Sequence, residues 1–157
     1  FAVDEYLTAI RLMPVRDEFL AMIYDNLADC YEKDDLYDIA IEAYRQAYQI
    51  LEGGSQQTYP LRGIARICLL QNKKDSALLY YQKALDYALV EQDSSLIGAL
   101  YHDLAMVYNE KKDYVQADKY VSKAMIMQGE DAVNVCLSKA QIMLNLNKLD
   151  SASYFFK

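Results

Sequence analysis

Residues 40–47, AIEAYRQA, return as 77–84, ALLYYQKA, and again as 117–124, ADKYVSKA. What recurs is a pattern of sizes. A small residue is followed four positions later by a ring or Val, and three later by Ala: Ala40-Tyr44-Ala47, Ala77-Tyr81-Ala84 and Ala117-Val121-Ala124. A partial copy, Ala2-Tyr6-Ala9, opens the chain, and another, Ala152-Phe156, closes it. The leading alanines follow one another at intervals of 38, 37, 40 and 35 residues. Twelve positions before each later one stands a second small residue: Ala28, Ala65, Ala105 and Ala140. Steps of three and four return to one side of an α-helix, so each unit reads as two amphipathic helices with a short turn between them. Ala lets two helices approach closely, and the neighbouring ring fills the gap beside it.

The turns fall at Asp34-Asp35, Asn72-Lys73, Lys112-Asp113 and Asn147-Lys148. Asn and Asp tolerate the left-handed conformation that ends a helix, whereas Lys112 is less comfortable there. Asp75 and Asp150 stand near the starts of second helices, where carboxylates favour the positive helix end. The pattern predicts helices over 1–13, 16–33, 37–52, 58–71, 75–92, 95–111, 115–128, 132–146 and 149–157, with no β-strand. Ala40, Ala77 and Ala117 are expected at helix crossings. Tyr24, Tyr31, Tyr44, Tyr81 and Tyr108 are expected in the core, with Cys68 and Cys136 buried beside them.

Composition agrees. Apolar residues make up 54% of the 157 and charged residues 25%, the balance of folded material. Only 5 Gly and 2 Pro are present, too few for the many turns of a sandwich or barrel. The net charge of −7 repels phosphate and argues against nucleic acid as the main partner. That charge is uneven: residues 1–52 carry 12 acidic and 4 basic side chains, residues 53–157 carry 11 and 12. A basic or mixed-charge partner would be steered to the first part. No uncharged apolar run approaches the roughly 18 residues that span a bilayer. Cys30, Cys68 and Cys136 are odd in number and widely spaced, so they read as reduced structural thiols rather than a zinc site or a disulfide framework. Reduced thiols favour the cytoplasm. Phe1 falls inside a helical pattern, which reads as a start lying upstream, so a periplasmic or surface-anchored place stays open.

The repeats resemble the tetratricopeptide repeat. Its signature places a large residue early in helix A, then Leu-Gly/Ala and Tyr, then Ala, an aromatic, Ala and Pro in helix B. The first full unit runs Tyr24, Leu27, Ala28, Tyr31, Tyr37, Ala40, Tyr44, Ala47. The second runs Leu61, Ile64, Ala65, Cys68, Ala77, Tyr81, Ala84, and the third Tyr101, Leu104, Ala105, Tyr108, Tyr114, Ala117, Val121, Ala124. The last runs Cys136, Lys139, Ala140, Met143, Leu149, Ala152, Phe156, with Lys139 where Leu is expected. At the front, Ala2, Tyr6, Ala9 and Pro14 match a helix B with its closing Pro. The family's Trp is absent. The units are slightly long, and this looks like the arrays of bacterial regulatory proteins. The extra residues fall between helix B and the next helix A, as at residues 88–93, and are expected to lengthen the helices.

The resemblance implies an all-α, right-handed superhelical solenoid of antiparallel helix pairs. One array fills residues 1–157: a second helix of a partial repeat at 1–14, repeats at 21–54, 58–91 and 98–131, and a partial repeat at 133–157. It also implies a concave groove lined by the first helix of each repeat. The groove positions hold Asp25, Asn26, Asp29 and Glu32, then Tyr59, Arg62, Arg66 and Leu69. They continue as His102, Asp103, Met106 and Asn109, then Asn134, Leu137, Ser138, Gln141 and Asn145. Asp25, Asp29 and Glu32 share one stripe of a helix, as do Arg62 and Arg66. Two readings stay open for these arginines. They either pair with the neighbouring acids or bind a ligand carboxylate. Members that grip a chaperone's C-terminal carboxylate use Lys and Asn where this chain has Asp25, Asp29, His102 and Met106, and two acids would repel that ligand. Asn26 matches a place where peptide-binding members hold a peptide backbone, and Tyr59 is the candidate for side-chain contact.

Catalytic motifs are missing: no GxSxG, no phosphate-binding loop, no HExxH. Gly53-Gly54 reads as a helix stop, with Ser55 capping the next helix. His102, the sole histidine, has no nucleophile or metal partner in the sequence and reads as a polar groove residue. Three carboxylates on one helix make a poor metal cage, so no cofactor or metal is expected. The expected function is non-catalytic binding of a protein or peptide, by a piece of a larger protein. The alternative is a sensory array of a bacterial regulator that responds to a peptide or small molecule and controls a fused output domain. Neither nucleic acid nor membrane is expected as a partner of this segment. The exposed aromatics of Phe1 and Tyr154-Phe155-Phe156 are expected to favour end-to-end self-association. On charge alone, a peptide ligand would carry a basic segment followed by an acidic one.

Overall fold

The structure, a computed structural model, describes residues 2–13, 17–51, 55–128 and 132–146. Its α-helices are α1 (Ala2–Leu12), α2 (Glu18–Lys33), α3 (Tyr37–Ile50), α4 (Thr58–Leu70), α5 (Lys74–Glu91), α6 (Ser94–Glu110), α7 (Tyr114–Gln128) and α8 (Val133–Asn145). A 3₁₀ turn at Ser55–Gln57 precedes α4, and no strand occurs among the described residues. All eight lie within two residues of the predicted boundaries. The predicted helix over 149–157, the turn at Asn147-Lys148, Asp150, Pro14, Gly53-Gly54, the side chain of Ser55 and the aromatic run 154–156 lie outside the described residues.

Four helices end in the same way. Asp35, Asn72, Gln92 and Lys112 take φ of 59°, 59°, 58° and 63°. The next residue's N–H then returns to a carbonyl five positions back: Leu36 to Tyr31 (2.9 Å), Lys73 to Cys68 (2.8 Å), Asp93 to Ala88 (3.3 Å) and Asp113 to Tyr108 (3.0 Å). This left-handed closure satisfies carbonyls that the helix end would leave bare. Asp35 and Asn72 suit it, Lys112 takes it despite its Cβ, and Gln92 is a turn the sequence did not signal. The residue that ends one helix also starts the next. Asp93 Oδ1 accepts from Leu96 N (3.0 Å), and Asp113 Oδ1 from Gln116 N (3.2 Å). At 18 residues α5 is the longest helix, which is where the extra length was expected.

The chain divides into two compact units, residues 1–87 and 88–157. In the first, Ala28, Ala40, Ala47, Ala65, Ala77 and Ala84 are all fully buried, and Tyr44 and Tyr81 lie beside them, 1% and 3% exposed. In the second, Ala105, Ala117, Val121 and Ala124 form one cluster with Val135 and Ile142. The repeated pattern of sizes is therefore the pattern of the core. At Ala77 no space remains, and Ala77→Leu is expected to lower stability by about 1–3 kcal/mol through overpacking, measured by urea denaturation. A neutral result would mean that the crossing is not tight.

Several expectations need correction. Tyr24, Tyr31 and Tyr108 are only partly buried. They sit at the edge of the packed stripe, where a ring packs while its hydroxyl keeps water. Tyr108 instead stacks on Tyr120, with centroids 5.3 Å apart and planes 8° from parallel. Cys136 is partly buried rather than buried, whereas Cys68 is in the core, where burial pushes its thiol up. In α1 no residue is buried, and Ala2-Tyr6-Ala9 is exposed or half-buried. Lys139 fills its Leu slot. It is 6% exposed, and Nζ donates to Asp118 Oδ1 and Ser122 Oγ, both at 2.6 Å. Burying an ammonium this deeply is tolerable only with such partners.

Candidate ligand-binding face

Each predicted groove position lies on the first helix of a pair, and in each unit some of these residues bond across to the neighbouring first helix. In residues 1–87 the helices are α2 and α4. Arg66 Nε and Nη2 donate to Glu32 Oε1 and Oε2, both at 2.6 Å, which is the bidentate fork geometry of guanidinium on carboxylate. Nη2 also donates to Asp29 Oδ1 (2.8 Å) and to the Tyr44 hydroxyl (3.0 Å). The hydroxyl of Tyr44 in turn donates to Asp29, and contacts Glu32 Oε2 at 3.2 Å. Of the two open readings for Arg66, the structure therefore has the pairing with Asp29 and Glu32. Chiefly through its hydrogen bond to Glu32, the guanidinium is raised above its ordinary range. Burial first, then the bond to Asp29, raises the Tyr44 phenol and keeps it protonated.

Tyr44 reaches this cluster from α3 because α4 carries Gly63. A Cβ at Gly63 would lie 2.5 Å and 2.7 Å from Cε1 and Cε2 of the Tyr44 ring. The absent side chain is the space the ring occupies.

Asp25 differs from the other acids of its stripe. Its Oδ1 is buried and makes no hydrogen bond among the described residues. Burial, helped by the charge of Asp29 and opposed by Arg66, pushes its carboxyl from 3.8 up to about 7. Asp25 lines a cleft of about 250 Å³ whose apolar walls are Ala21, Met22, Leu51 and Pro60. At the mouth stand Tyr59, 52% exposed, and Gln56, whose Nε2 donates to Glu18 Oε2 (3.1 Å). Sequence spacing put Asp25, Asp29 and Glu32 in one stripe, but it could not separate the acids that meet Arg66 from the one that does not. Asn26 and Arg62 are half-buried on the same two helices, and Arg62 is engaged in an interaction within the protein.

In residues 88–157 the first helices are α6 and α8. His102 Nε2 lies 2.8 Å from Ser138 Oγ, and Asn145 Nδ2 donates to Asn109 Oδ1 at 2.9 Å. Ser138 Oγ also donates to the backbone oxygen of Asn134 (3.0 Å), and the direction of its bond to His102 follows the tautomer of the ring. Asp103 and Met106 are half-buried on α6. Among the described residues no group of three or more His, Cys, Asp or Glu could hold a metal ion. No described helix is long and apolar enough to cross a membrane.

The buried Ala-Tyr-Ala crossings and paired first helices have a counterpart among known families, since residues 19–89 match the family model for the tetratricopeptide repeat. Residues 19–89 are tetratricopeptide repeats. No curated protein sequence matches the chain. Solved structures with the same tetratricopeptide-type helical fold include BtubC (BKLC) from P. vanneervenii, with a TM-score of 0.84 and 20% identity over 96% of this chain and 67% of that one. Aspartyl phosphate phosphatase F from Bacillus subtilis gives a TM-score of 0.83 and 20% identity over 91% of this chain and 39% of that one. A Rap protein complexed with Competence and Sporulation Factor gives 0.84 and 19% over 98% and 46%. The chain thus spans less than half the length of the last two. At these identities the likeness is one of fold: an all-α array of tetratricopeptide-type helix pairs.

Proposed function

We propose that this chain is a non-catalytic scaffold that binds an extended protein or peptide segment along the first helices of its repeats. The observation that carries the reading is Asp25. The other acids of its stripe are bonded within the protein, whereas this one holds a buried oxygen without a partner beside an exposed Tyr. Phe19 and Met22, 56% and 49% exposed, extend the apolar margin along α2. Aromatic and Met side chains are enriched at protein interfaces. A Rap protein of the same fold is complexed with a factor, so the fold is compatible with holding a partner.

Charge sharpens the ligand class. Arg66 is engaged by Asp29 and Glu32, so α4 offers less positive charge to an acidic ligand segment than the sequence suggested. With the acid excess of residues 1–52, this favours a basic segment. A uniform charge series of immobilised decapeptides, from acidic to basic, tests the reading. Basic members should be retained, and Tyr59→Ala and Asn26→Ala should each weaken binding about tenfold with helical circular dichroism unchanged. Retention unaffected by both substitutions, in folded protein, would move the interface off α2 and α4. Reversing Arg66 is a poor test, because it also breaks the cluster with Asp29, Glu32 and Tyr44.

A further inference from the structure

The cleft at Asp25 combines features seldom found together. Its walls are aliphatic, its mouth carries an exposed aromatic ring, and its one acidic side chain is a carboxyl with a buried, unbonded oxygen. At about 250 Å³ it lies below the 300–1,000 Å³ typical of drug-sized sites and fits a single side chain. We infer that this cleft receives an alkylammonium or alkylguanidinium group, the side-chain chemistry of lysine and arginine. The aliphatic stem lies against Met22, Leu51 and Pro60, the cationic head donates to Asp25, and Tyr59 offers its ring face to the charge. For its natural source, a basic residue of a bound segment, the inference rests on the peptide-binding reading above. The cleft chemistry itself does not.

The charged groups acting on Asp25 are few. Asp29, one turn along α2, disfavours its ionisation, and Arg66 on α4 favours it. The cleft receives uncharged Gln56 from the 3₁₀ turn, apolar Leu51 from the end of α3, and Tyr59 and Pro60 from α4; none of its lining comes from α1. With the carboxyl near neutrality, about a tenth is ionised at pH 6 and about nine tenths at pH 8. An arriving cation needs the ionised form, so its affinity rises with pH across this window.

Calorimetric titrations of the full chain with agmatine, with N-acetyl-lysine amide and with its norleucine counterpart, at pH 6 and pH 8, test the inference. Both cationic probes should bind at pH 8 and about tenfold more weakly at pH 6. The norleucine probe should bind at neither, and Asp25→Asn should abolish binding of both cations while the protein stays folded. In ¹³C spectra the Asp25 carboxyl should titrate at lower pH once a cation is bound. Equal binding of norleucine, affinity unchanged between pH 6 and 8, or undiminished binding to Asp25→Asn would overturn the inference. The two readings fail separately. Basic peptides retained by Asp25→Asn as well as by the parent would sink the cleft and leave the face. Cations bound at Asp25 with no peptide retained would sink the face and leave the cleft.

Discussion

Asp25→Asn is expected to stabilise the protein at pH 8, and to do so progressively less as the pH falls toward 4. In the folded state burial holds the Asp25 carboxyl near 7, against 3.8 when solvated. The folded protein therefore keeps a proton that the unfolded chain has released. Stability falls as pH rises from about 4 to about 7, and above that the full cost of ionising a buried acid is present. A shift of roughly three units at 1.4 kcal/mol each, reduced for the part of the group still near solvent, gives about 2–4 kcal/mol at pH 8. Asn has the same shape and carries no charge to desolvate, so it recovers most of this. At about 2–4 °C per kcal/mol for a chain of this size, the melting temperature of the variant should exceed that of the parent by about 5–10 °C at pH 8. Thermal melts of both proteins between pH 4 and 8 read the effect directly. A gain that does not vary with pH, or a loss at pH 8, would mean that Asp25 is solvated or bonded. A destabilising residue of this kind is what a binding site retains at the expense of stability.

How far the sequence could be read follows from which forces act at each position. Helix crossings depend on side-chain volume, and volume is written in the sequence, so Ala40, Ala77 and Ala117 were legible and are fully buried. Helix ends depend on local backbone chemistry, so Asp35 and Asn72 were legible as turns. Gln92 was not, because its left-handed φ of 58° is imposed by the closure between Ala88 and Asp93 and not by its own side chain. The ring at Tyr108 carries the same letter as the ring at Tyr44, yet only the latter meets a glycine that lets it sink into the core. Polar positions depend on partners from another repeat, and spacing does not choose among them. The stripe Asp25-Asp29-Glu32 was visible, but Arg66 reaches only the last two, and that choice isolates Asp25. Lys139 was visible only as a departure from the expected Leu. Its acceptor, Asp118, stands next to the marker Ala117 on the preceding helix, and that acid was the available signal.

The close approach of Gly63 to Tyr44 makes a second large effect. Gly63→Ala is expected to destabilise residues 1–87, although Ala is the better helix former by about 1 kcal/mol. The new methyl would overlap the Tyr44 ring, with Cε1 at 2.5 Å and Cε2 at 2.7 Å. The ring cannot step aside cheaply. It is 1% exposed, and its hydroxyl is held by Asp29, Glu32 and Arg66. Moving it adds overpacking strain of about 1–3 kcal/mol to the loss of a partly buried hydrogen bond worth about 1–3 kcal/mol. Against the propensity gain, the net loss is about 2–4 kcal/mol, visible as a lower urea midpoint. Tyr44→Leu removes the ring and its hydroxyl at a cost of its own, but it makes room for the methyl. The double variant should then be more stable than the two single losses predict, with a coupling of about 1–3 kcal/mol. Losses that simply add would mean that the methyl and the ring do not meet. In that case Arg66, Asp29 and Glu32 would be positioned without help from the gap at Gly63.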